Sequence, residues 1–361
     1  MKRVVFVLLV VLALDGCATS SVARIEEIVA QAVAAPIADR RFAGVVLVAR
    51  DGKPVFRKAY GLADREQNIA HTPETPFMIM SVSKQFTAAL IARLAAAGKL
   101  RLGDRVSRYL ANWPEEWDAV EIRHLLSHAS GLDIDTTYFW LVKHHPEYWP
   151  ESGDPPPYQP RALAAAPGTT YLYSNVGYTL LSMIATKAEG RPFDDLLRDE
   201  VFRPLRLEHT IPERNGIRVS GRARGYARRD DGLELQEQKT IDIVGAGDLV
   251  STADDLARFD AAFDDDRFLP APFRDAMLTP HIEGRRGASL GYGWFLRTSD
   301  GGRRMQYHGG DGAGFRAFNV RLPKERLSVI VLSNVHQSEM PWVLSMVDRI
   351  ADVADRRRSW F

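Results

Sequence analysis

Residues 77–86 read Phe77-Met-Ile-Met-Ser81-Val-Ser-Lys84-Gln-Phe86, and they open a run with helical periodicity. The apolar residues that follow recur three or four positions apart and predict one buried helix face: Phe86, Leu90, Ile91 and Leu94. Gly98 is a typical stop, so we expect a helix from about Ser81 to that glycine. On this helix Ser81 and Lys84 share a face, one turn apart.

The pair has a clear chemical meaning. A hydroxyl at a helix N-terminus lies beside free backbone N–H groups and the positive end of the helix dipole, which favour an anionic oxygen. The amine of Lys84, one turn on, can take up the proton of Ser81. Taken alone, Ser-x-x-Lys also fits a helix cap followed by a solvated lysine. The pattern occurs once in the chain.

Two further clusters place polar side chains among glycines. In residues 167–178, Tyr173 and Asn175 are two apart and can point the same way, the phenol as a proton carrier and the amide as a support for a substrate amide. Residues 307–312 read Tyr-His-Gly-Gly-Asp-Gly at the end of a β-rich run, where glycines let a substrate backbone approach closely. Each cluster alone also fits a structural role. Together with Ser81 they indicate an active site.

Paired β-rich runs occur near both ends of the chain. Residues 44–50 and 55–60 flank Asp51-Gly52, a dipeptide that favours a hairpin turn. Two similar hairpins are predicted near the other end, 294–297 with 305–307 and 315–322 with 327–332. Helical patterns lie outside these runs, at residues 25–34 and 342–350. We therefore predict an α+β fold, in which one antiparallel sheet is made from both termini and a helical region is inserted.

The stretch from Thr136 to Pro160 shows no clear periodicity and carries Trp140 and Trp149. We expect a loop there. It is either a substrate-facing wall or a packed surface excursion.

Composition and charge exclude several classes of function. Lys plus Arg total 47 against 46 Asp plus Glu, so no large net charge exists to attract nucleic acid. The 361 residues, 45% hydrophobic and 26% charged, are typical of a folded globular protein of one large unit or two domains. Cys17 is the single cysteine, which excludes intrachain disulfides, a cysteine-based zinc site and an iron–sulfur cluster.

The combination of Ser81-x-x-Lys84, Tyr173-x-Asn175 and His308-x-Gly310 resembles the penicillin-binding-protein and class C β-lactamase superfamily of active-site serine hydrolases. The resemblance spans roughly residues 25–350. Further family-like segments are residues 125–132, 204–210, 245–255 and 291–294.

The resemblance implies a class C β-lactamase-like fold with the active site between two domains. We expect an α/β domain with the antiparallel sheet from residues 25–75 and 220–361, and a mostly helical domain from residues 76–219. The antiparallel sheet would be flanked by N- and C-terminal helices. No cofactor is implied.

The resemblance also implies roles for individual residues. Ser81 is the acylated nucleophile, and Lys84 and Tyr173 share proton transfer. The expected substrate-binding residues are Asn175, His308, Gly310 and Asp311. Among them, Asn175 orients the acyl side chain of the substrate. The backbone N–H groups of Ser81 and Asp311 would form the oxyanion hole, in which one donor is typically worth about 10²- to 10³-fold in rate.

One departure from the family pattern bears on the substrate. Class C β-lactamases carry Lys at the first position of the third motif, where this chain has His308. An unperturbed histidine, with a pKa of about 6.5, is mostly neutral above pH 7, so recognition of a substrate carboxylate should be weaker. With one cation fewer to stabilise a phenolate, we favour Lys84 and Tyr173 as a coupled pair, and leave open which of them is the general base.

The His-x-Gly versions of this family resemble D-amino-acid peptidases and esterases more than drug-destroying enzymes. We therefore predict a serine hydrolase that cleaves an ester or a D-configured peptide or amide bond through an acyl-enzyme on Ser81. One alternative is a true β-lactamase or a D,D-carboxypeptidase acting on peptidoglycan stems. An alternative of another class is a non-catalytic envelope penicillin-binding protein. The expected partner is a small-molecule or peptide substrate.

Residues 1–16 resemble a secretory signal peptide. A basic start is followed by the apolar run 4–14, whose eleven residues are too few to cross a bilayer core that needs about 20 helical residues. The run ends at Leu14-Asp15-Gly16-Cys17, which resembles a bacterial lipoprotein cleavage box.

In this interpretation Cys17 is lipidated and residues 17–24 form a spacer. Asp15 departs from the usual box, and ordinary cleavage near Ala18 is the alternative. We expect a periplasmic or cell-envelope protein that contacts the membrane only through its lipid anchor.

A competing nucleophile is Ser289. Residues 287–291 match Gly-x-Ser-x-Gly, the nucleophile elbow of α/β-hydrolases, and Asp300 and His308 follow in the order of a triad. An elbow follows a buried strand and begins a helix, whereas charged residues precede Ser289 and a strand-like run follows it. The context therefore disfavours this alternative.

The other histidines predict no metal site. His144 and His145 lie outside any His-Glu-x-x-His pattern. His124 and His128 are four apart, and we interpret both as packing residues or as core histidines with satisfied hydrogen bonds.

Overall fold

The computed structural model describes residues 21–145, 161–213, 219–230, 232–236, 243–312, 314–336 and 340–355. The signal peptide and Cys17 lie outside these ranges. Across the described residues the chain forms an α+β fold with a large antiparallel sheet, so the predicted fold class is confirmed. The domain boundaries at residues 76 and 219 stay predictions. None of the helices in the described ranges combines the length and apolar character that crossing a bilayer requires.

The helices are α1 (residues 21–38), α2 (Ser83–Ala96), α3 (Ile122–Leu126), α4 (Ile134–His144), α5 (Asn175–Glu189), α6 (Phe193–Leu197), α7 (Arg203–Leu205), α8 (Ala253–Ala261), α9 (Ala271–Met277) and α10 (Pro341–Asp355). The strands are β1 (Gly44–Arg50), β2 (Lys53–Tyr60), β3 (Leu62–Asp64), β4 (Ile69–Ala70), β5 (Phe77–Met78), β6 (Ile211–Pro212), β7 (Tyr226–Arg229), β8 (Gly232–Leu235), β9 (Leu249–Ser251), β10 (Ile282–Glu283), β11 (Ser289–Leu290), β12 (Phe295–Thr298), β13 (Arg304–Gly312), β14 (Phe315–Leu322), β15 (Leu327–Ser333) and β16 (Val335–His336). Short 3₁₀ turns cover Met80–Val82, Val106–Arg108 and Glu115–Trp117, and Arg198–Phe202 is π-helical.

The large sheet, as the described residues form it, has eight strands in the order β10-β11-β12-β13-β14-β15-β1-β2. Its neighbours β1 and β15 come from opposite ends of the chain, with Gly44 opposite Ser333 and Arg50 opposite Leu327. The predicted hairpins β1–β2, β12–β13 and β14–β15 are confirmed. Strand β13 continues to Gly312 instead of ending at Tyr307, so the third motif lies within the sheet.

Both faces of this sheet are buried, which explains the continuous apolar sequence of β1. Val45 and Leu47 face the core shared with α2 and α8, whereas Val46 and Val48 face the core shared with α1 and α10. Helices α1 and α10, from the two ends of the described chain, thus cover one face together. This confirms the prediction that terminal helices flank the sheet.

The predicted loop from Thr136 to Pro160 is wrong in its first part, because Ile134–His144 forms helix α4. Asp133 caps this helix by accepting a hydrogen bond from the N–H of Thr136 at 2.8 Å. Its β-branched and aromatic residues are poor helix formers, and tertiary packing overrides that preference. Trp140 is fully buried against the rings of Trp113 and Trp117. Residues 146–160, with Trp149, lie outside the described residues.

A buried polar cluster joins the sheet to two helices. Asn319 of β14 donates from Nδ2 to Oε1 of Gln85 on α2, at 3.0 Å, and to Oδ1 of Asp260 on α8, at 2.8 Å. All three side chains are buried. Burial raises the pKa of Asp260 to about 6, although the Arg321 guanidinium opposes the shift. The cluster therefore carries a carboxyl group that is costly to ionise.

This raised pKa predicts a pH-dependent stability. The folded state holds the proton on Asp260 more tightly than the unfolded state does, so the free energy of unfolding falls as pH rises from about 4 to about 6. Asp260→Asn removes this contribution. We expect the unfolding free energy of the variant minus that of the wild type to increase by about 2 kcal/mol between pH 4.5 and pH 7.5. Urea unfolding at both pH values measures the difference, and equal differences would contradict the prediction.

Candidate active site

Ser81 lies in the 3₁₀ turn Met80–Val82, between strand β5 and helix α2. The α-helix begins at Ser83, two residues after the predicted start, because Ser81 belongs to the tighter turn. Met80 has a φ of +49°, in the left-handed region, so the turn is locally strained. The Oγ of Ser83 accepts a hydrogen bond from the N–H of Leu249 at 3.2 Å. Strand β9 thereby supports the turn that presents Ser81.

Lys84 is fully buried, and its amine is surrounded by three oxygen atoms. Its Nζ lies 3.2 Å from Oγ of Ser81, 2.8 Å from Oδ1 of Asn175 and 2.7 Å from the carbonyl oxygen of Ala246. The structure thus brings together Ser81, Lys84 and Asn175 from the first two motifs.

The environment favours the neutral amine. Burial lowers the pKa of Lys84 well below its ordinary value, and attraction to the Asp248 carboxylate opposes this only in part. A neutral amine has two N–H donors and one lone pair. Since Asn175 Oδ1 and the Ala246 carbonyl can only accept, they take both donors and leave the lone pair for the hydroxyl of Ser81. The same three contacts also satisfy the ammonium form, so a proton can be gained without rearrangement.

Tyr173 and Asn175 lie where a loop enters helix α5. Asn175 is the first residue of this helix, and Ser174 caps it by accepting from the N–H of Gly177 at 3.0 Å. The Tyr173 ring lies 4.9 Å from Nζ of Lys84, and its phenol is hydrogen-bonded to Ser81. Burial raises the pKa of Tyr173 above its ordinary range, despite the opposing effect of that hydrogen bond. The phenol therefore keeps its proton at neutral pH.

His308 lies on β13, and only 3% of it is exposed. Its Nδ1 is 2.7 Å from the carbonyl oxygen of Gly309; since a carbonyl only accepts, this nitrogen carries the proton. Burial, followed by the positive charge of Lys84, lowers the pKa of His308 to about 3. His308 is therefore neutral and presents an acceptor, Nε2, where the class C pattern has a cation.

Gly310 packs directly on the backbone that precedes Ser81. A Cβ added at Gly310 would lie 2.0 Å from the carbonyl oxygen of Ile79 and 3.0 Å from Cβ of Met80. Only glycine permits this approach, which sets the distance between β13 and the serine turn.

Asp311 alternates to the other face of the sheet from His308 and Gly310. Its carboxylate contacts Arg316 at 2.9 Å and His336 at 2.7 Å. The side chain thus anchors the end of β13 on the face of the sheet opposite to His308. The backbone N–H of Asp311 as an oxyanion donor stays a prediction.

The competing nucleophile Ser289 lies on the two-residue strand β11 and not on an elbow before a helix. Its Oγ contacts Oε1 of Glu283 at 3.4 Å. Asp300 is fully exposed beside Arg297, whereas His308 is buried. Within the described ranges no hydrogen bond joins Ser289, Asp300 and His308, so the structure does not assemble this triad.

Sequence reasoning missed two parts of the site. The carbonyl of Ala246 has no side-chain signature, and only the family-like segment 245–255 pointed to it. His128 was predicted to be a packing residue or a core histidine with satisfied hydrogen bonds; it is 3% exposed, and its ring also stacks on Tyr173 at 4.3 Å. Within the described residues, no group of three or more His, Cys, Asp or Glu side chains is placed to hold a metal ion.

Comparisons with known proteins show the family and the fold. The family model described as Beta-lactamase matches residues 26–345. Penicillin-binding protein 4* of Bacillus subtilis is 29% identical over 310 residues, covering 81% of this chain and 68% of that protein. D-aminopeptidase of Brucella anthropi is 29% identical over 301 residues, covering 81% of this chain and 56% of its own length. D-amino acid amidase of Ochrobactrum anthropi SV3, solved with D-phenylalanine, has a TM-score of 0.75 at 22% identity and covers 92% of this chain and 99% of that one.

The close approach of Gly310 predicts a sharp difference between two adjacent glycines. Gly310→Ala should lower kcat at least about 100-fold, since a displacement of about 1 Å costs that much and the added Cβ meets the Ile79 carbonyl. Gly309→Ala is the matched control, because its added Cβ meets only ordinary contacts at 3.7 Å and beyond. Ester hydrolysis and thermal unfolding of both variants test this. Equal kcat values would contradict it.

Proposed function

This chain belongs to the beta-lactamase family of serine hydrolases, and we propose that it hydrolyses an ester or a D-configured peptide or amide bond through an acyl-enzyme on Ser81. The observation that carries the proposal is the buried amine of Lys84, whose lone pair is left for the hydroxyl of Ser81. A base whose neutral form is favoured by burial and that is already in contact with the nucleophile needs no activation by a third group.

Acylation follows from these contacts. The proton of Ser81 passes to Nζ of Lys84, which becomes an ammonium with three acceptors already in place. Oγ bonds to the substrate carbonyl carbon, and the carbonyl oxygen becomes an oxyanion facing the N–H groups of Ser81 and Asp311. The resulting tetrahedral species then collapses.

The leaving group needs a proton, and Tyr173 is suited to supply it. Its phenol is protonated and hydrogen-bonded to Ser81, the residue that attacks the substrate in this proposal. As the bond to the leaving oxygen or nitrogen breaks, Tyr173 gives up its proton and regains one from the Lys84 ammonium. Water then loses a proton to this pair and adds to the acyl carbon, and Ser81 leaves with its proton restored.

The third motif shapes the substrate preference. A neutral His308 offers a hydrogen-bond acceptor and no positive charge, so a carboxylate next to the reacting bond gains no ion pair there. This supports uncharged esters and amides over β-lactams. The similarity to D-aminopeptidase supports a D-configured acyl group. The similarity to a penicillin-binding protein keeps β-lactamase or D,D-carboxypeptidase activity as the alternative, and a non-catalytic binder as another.

A variant panel tests the activity. We expect wild-type protein to hydrolyse p-nitrophenyl acetate and to form a mass-detectable acyl adduct, and Ser81→Ala to do neither. Ser289→Ala is the matched control and should keep both. His308→Lys should raise kcat/KM for a chromogenic cephalosporin relative to the ester about tenfold, since a charge-assisted hydrogen bond contributes about 1.5–3 kcal/mol. Rapid cephalosporin hydrolysis by the wild type would favour the β-lactamase alternative, and absence of any adduct or product would favour the binder.

We further propose that the protein is exported and anchored by lipid at Cys17, on the basis of the leader-like sequence before it. Cys17→Ser should then release the protein from membranes into the soluble fraction. Ala18→Ser, which keeps the cysteine, is the control and should remain membrane-bound. Fractionation followed by immunodetection measures both, and continued membrane association of Cys17→Ser would refute lipid anchoring.

A further inference from the structure

Residues 128–131 support the loop that carries Tyr173. Backbone N–H groups of the loop donate hydrogen bonds to acceptors in residues 128–131. The four bonds run from Ala164 to the Gly131 carbonyl at 2.7 Å, from Gly168 to the Ala129 carbonyl at 2.7 Å, from Leu172 to the His128 carbonyl at 2.8 Å, and from Ser174 to Nδ1 of His128 at 3.1 Å. Gly131 has a φ of +73°, and an added Cβ would lie 1.9 Å from the carbonyl oxygen of Ala165. The backbone of residues 128–131 thus supplies both the hydrogen-bond acceptors and the space that the loop needs.

His128 holds Tyr173 in three ways. Its carbonyl oxygen binds the N–H of the residue before the tyrosine, and its ring nitrogen binds the N–H of the residue after it. Its ring stacks on the Tyr173 ring at 4.3 Å with an interplanar angle of 27°. Both peptide neighbours and one face of the phenol are therefore fixed by a single residue.

These contacts demand an imidazole with an unprotonated Nδ1. A backbone N–H needs an acceptor, and phenylalanine offers none; asparagine offers an acceptor but no ring to stack. Burial is the main cause that lowers the pKa of His128 well below its ordinary value, and repulsion from the cationic forms of Lys84 and His308 acts in the same direction, so the ring stays neutral. A protonated ring would turn the Nδ1 acceptor into a donor facing the N–H of Ser174.

We propose that His128 is a positioning residue that holds the phenol of Tyr173 against Ser81 and Lys84, through Nδ1 and through its ring face. The inference rests on the proposed function, in which Tyr173 protonates the leaving group. Catalysis depends on such placement, since a shift of about 1 Å in a reacting group can lower a rate about 100-fold. Because these contacts of His128 run to the backbone and ring of the Tyr173 loop, we expect its loss to affect kcat more than KM.

The test separates the two features of the ring. His128→Phe keeps a stacking ring and loses the acceptor, and His128→Asn keeps an acceptor and loses the ring. His124→Phe is the matched control: His124 lies four residues earlier and its Nδ1 accepts from the N–H of Glu121, also at 3.1 Å, without a ring contact to Tyr173. Each variant is assayed for kcat and KM with an alkyl ester and with a D-amino-acid p-nitroanilide, whose leaving groups need a proton, and its thermal unfolding is recorded. Acylation over hours is followed by mass spectrometry.

We expect both His128 variants to lower kcat at least about tenfold with KM within about twofold of the wild type, and the His124 control to keep its kcat within about twofold. Combined with Tyr173→Phe, His128→Phe should add less than about a threefold further loss, because the two act on the same step. A kcat near that of the wild type in the folded His128 variants, or losses that multiply with Tyr173→Phe, would overturn the inference. Absence of any acylation in the wild type would instead overturn the proposed function.

Discussion

The removal of one amine from water is the constraint on which the site depends. Nζ of Lys84 is enclosed by helix α2 and by oxygen atoms from three separate parts of the chain. Its neutral state is favoured only while these parts are assembled, so basicity and folding are linked. The enclosure also reaches further: the positive charge of Lys84, when present, disfavours protonation of both His128 and His308. His128 and His308 therefore stay neutral when Lys84 takes up the proton of Ser81, and that proton has a defined destination.

Close backbone contacts set the geometry around this amine. The strained turn at Met80 places Ser81 at the start of α2, and Gly310 lets β13 approach the turn on one side. The loop that carries Tyr173 is fixed by hydrogen bonds to residues 128–131, which include Gly131. Glycine is required at both points of approach because any side chain would meet a carbonyl oxygen. The catalytic side chains are therefore positioned by main-chain packing as much as by one another.

The sequence predicted the parts that local spacing determines. The three hairpins, the terminal helices and the neighbourhood of Ser81 and Lys84 follow from periodicity, and the structure has them. The sequence pattern did not predict helix α4, because this helix is stabilised by contacts distant in sequence, such as those of Trp140 with other tryptophans. The contact of the Ala246 carbonyl with Lys84 could not be predicted either, since every residue has a carbonyl and the fold determines which one lies beside the amine. His128 was predicted to be a packing residue or a hydrogen-bonded core histidine, and its contact with Tyr173 was missed because it joins segments distant in sequence.

The pairing of β1 with β15 has a consequence for how the molecule is made. Gly44 emerges from the ribosome long before its partner Ser333, and non-local strand pairing is slow to form. Until β15 is available, the apolar β1 is paired on one side only, by β2, and its other edge can pair wrongly with other chains. The central pairing of the sheet is therefore available only to a chain whose C-terminal strands are present, so both ends of the folded region must meet before the sheet reaches its full width.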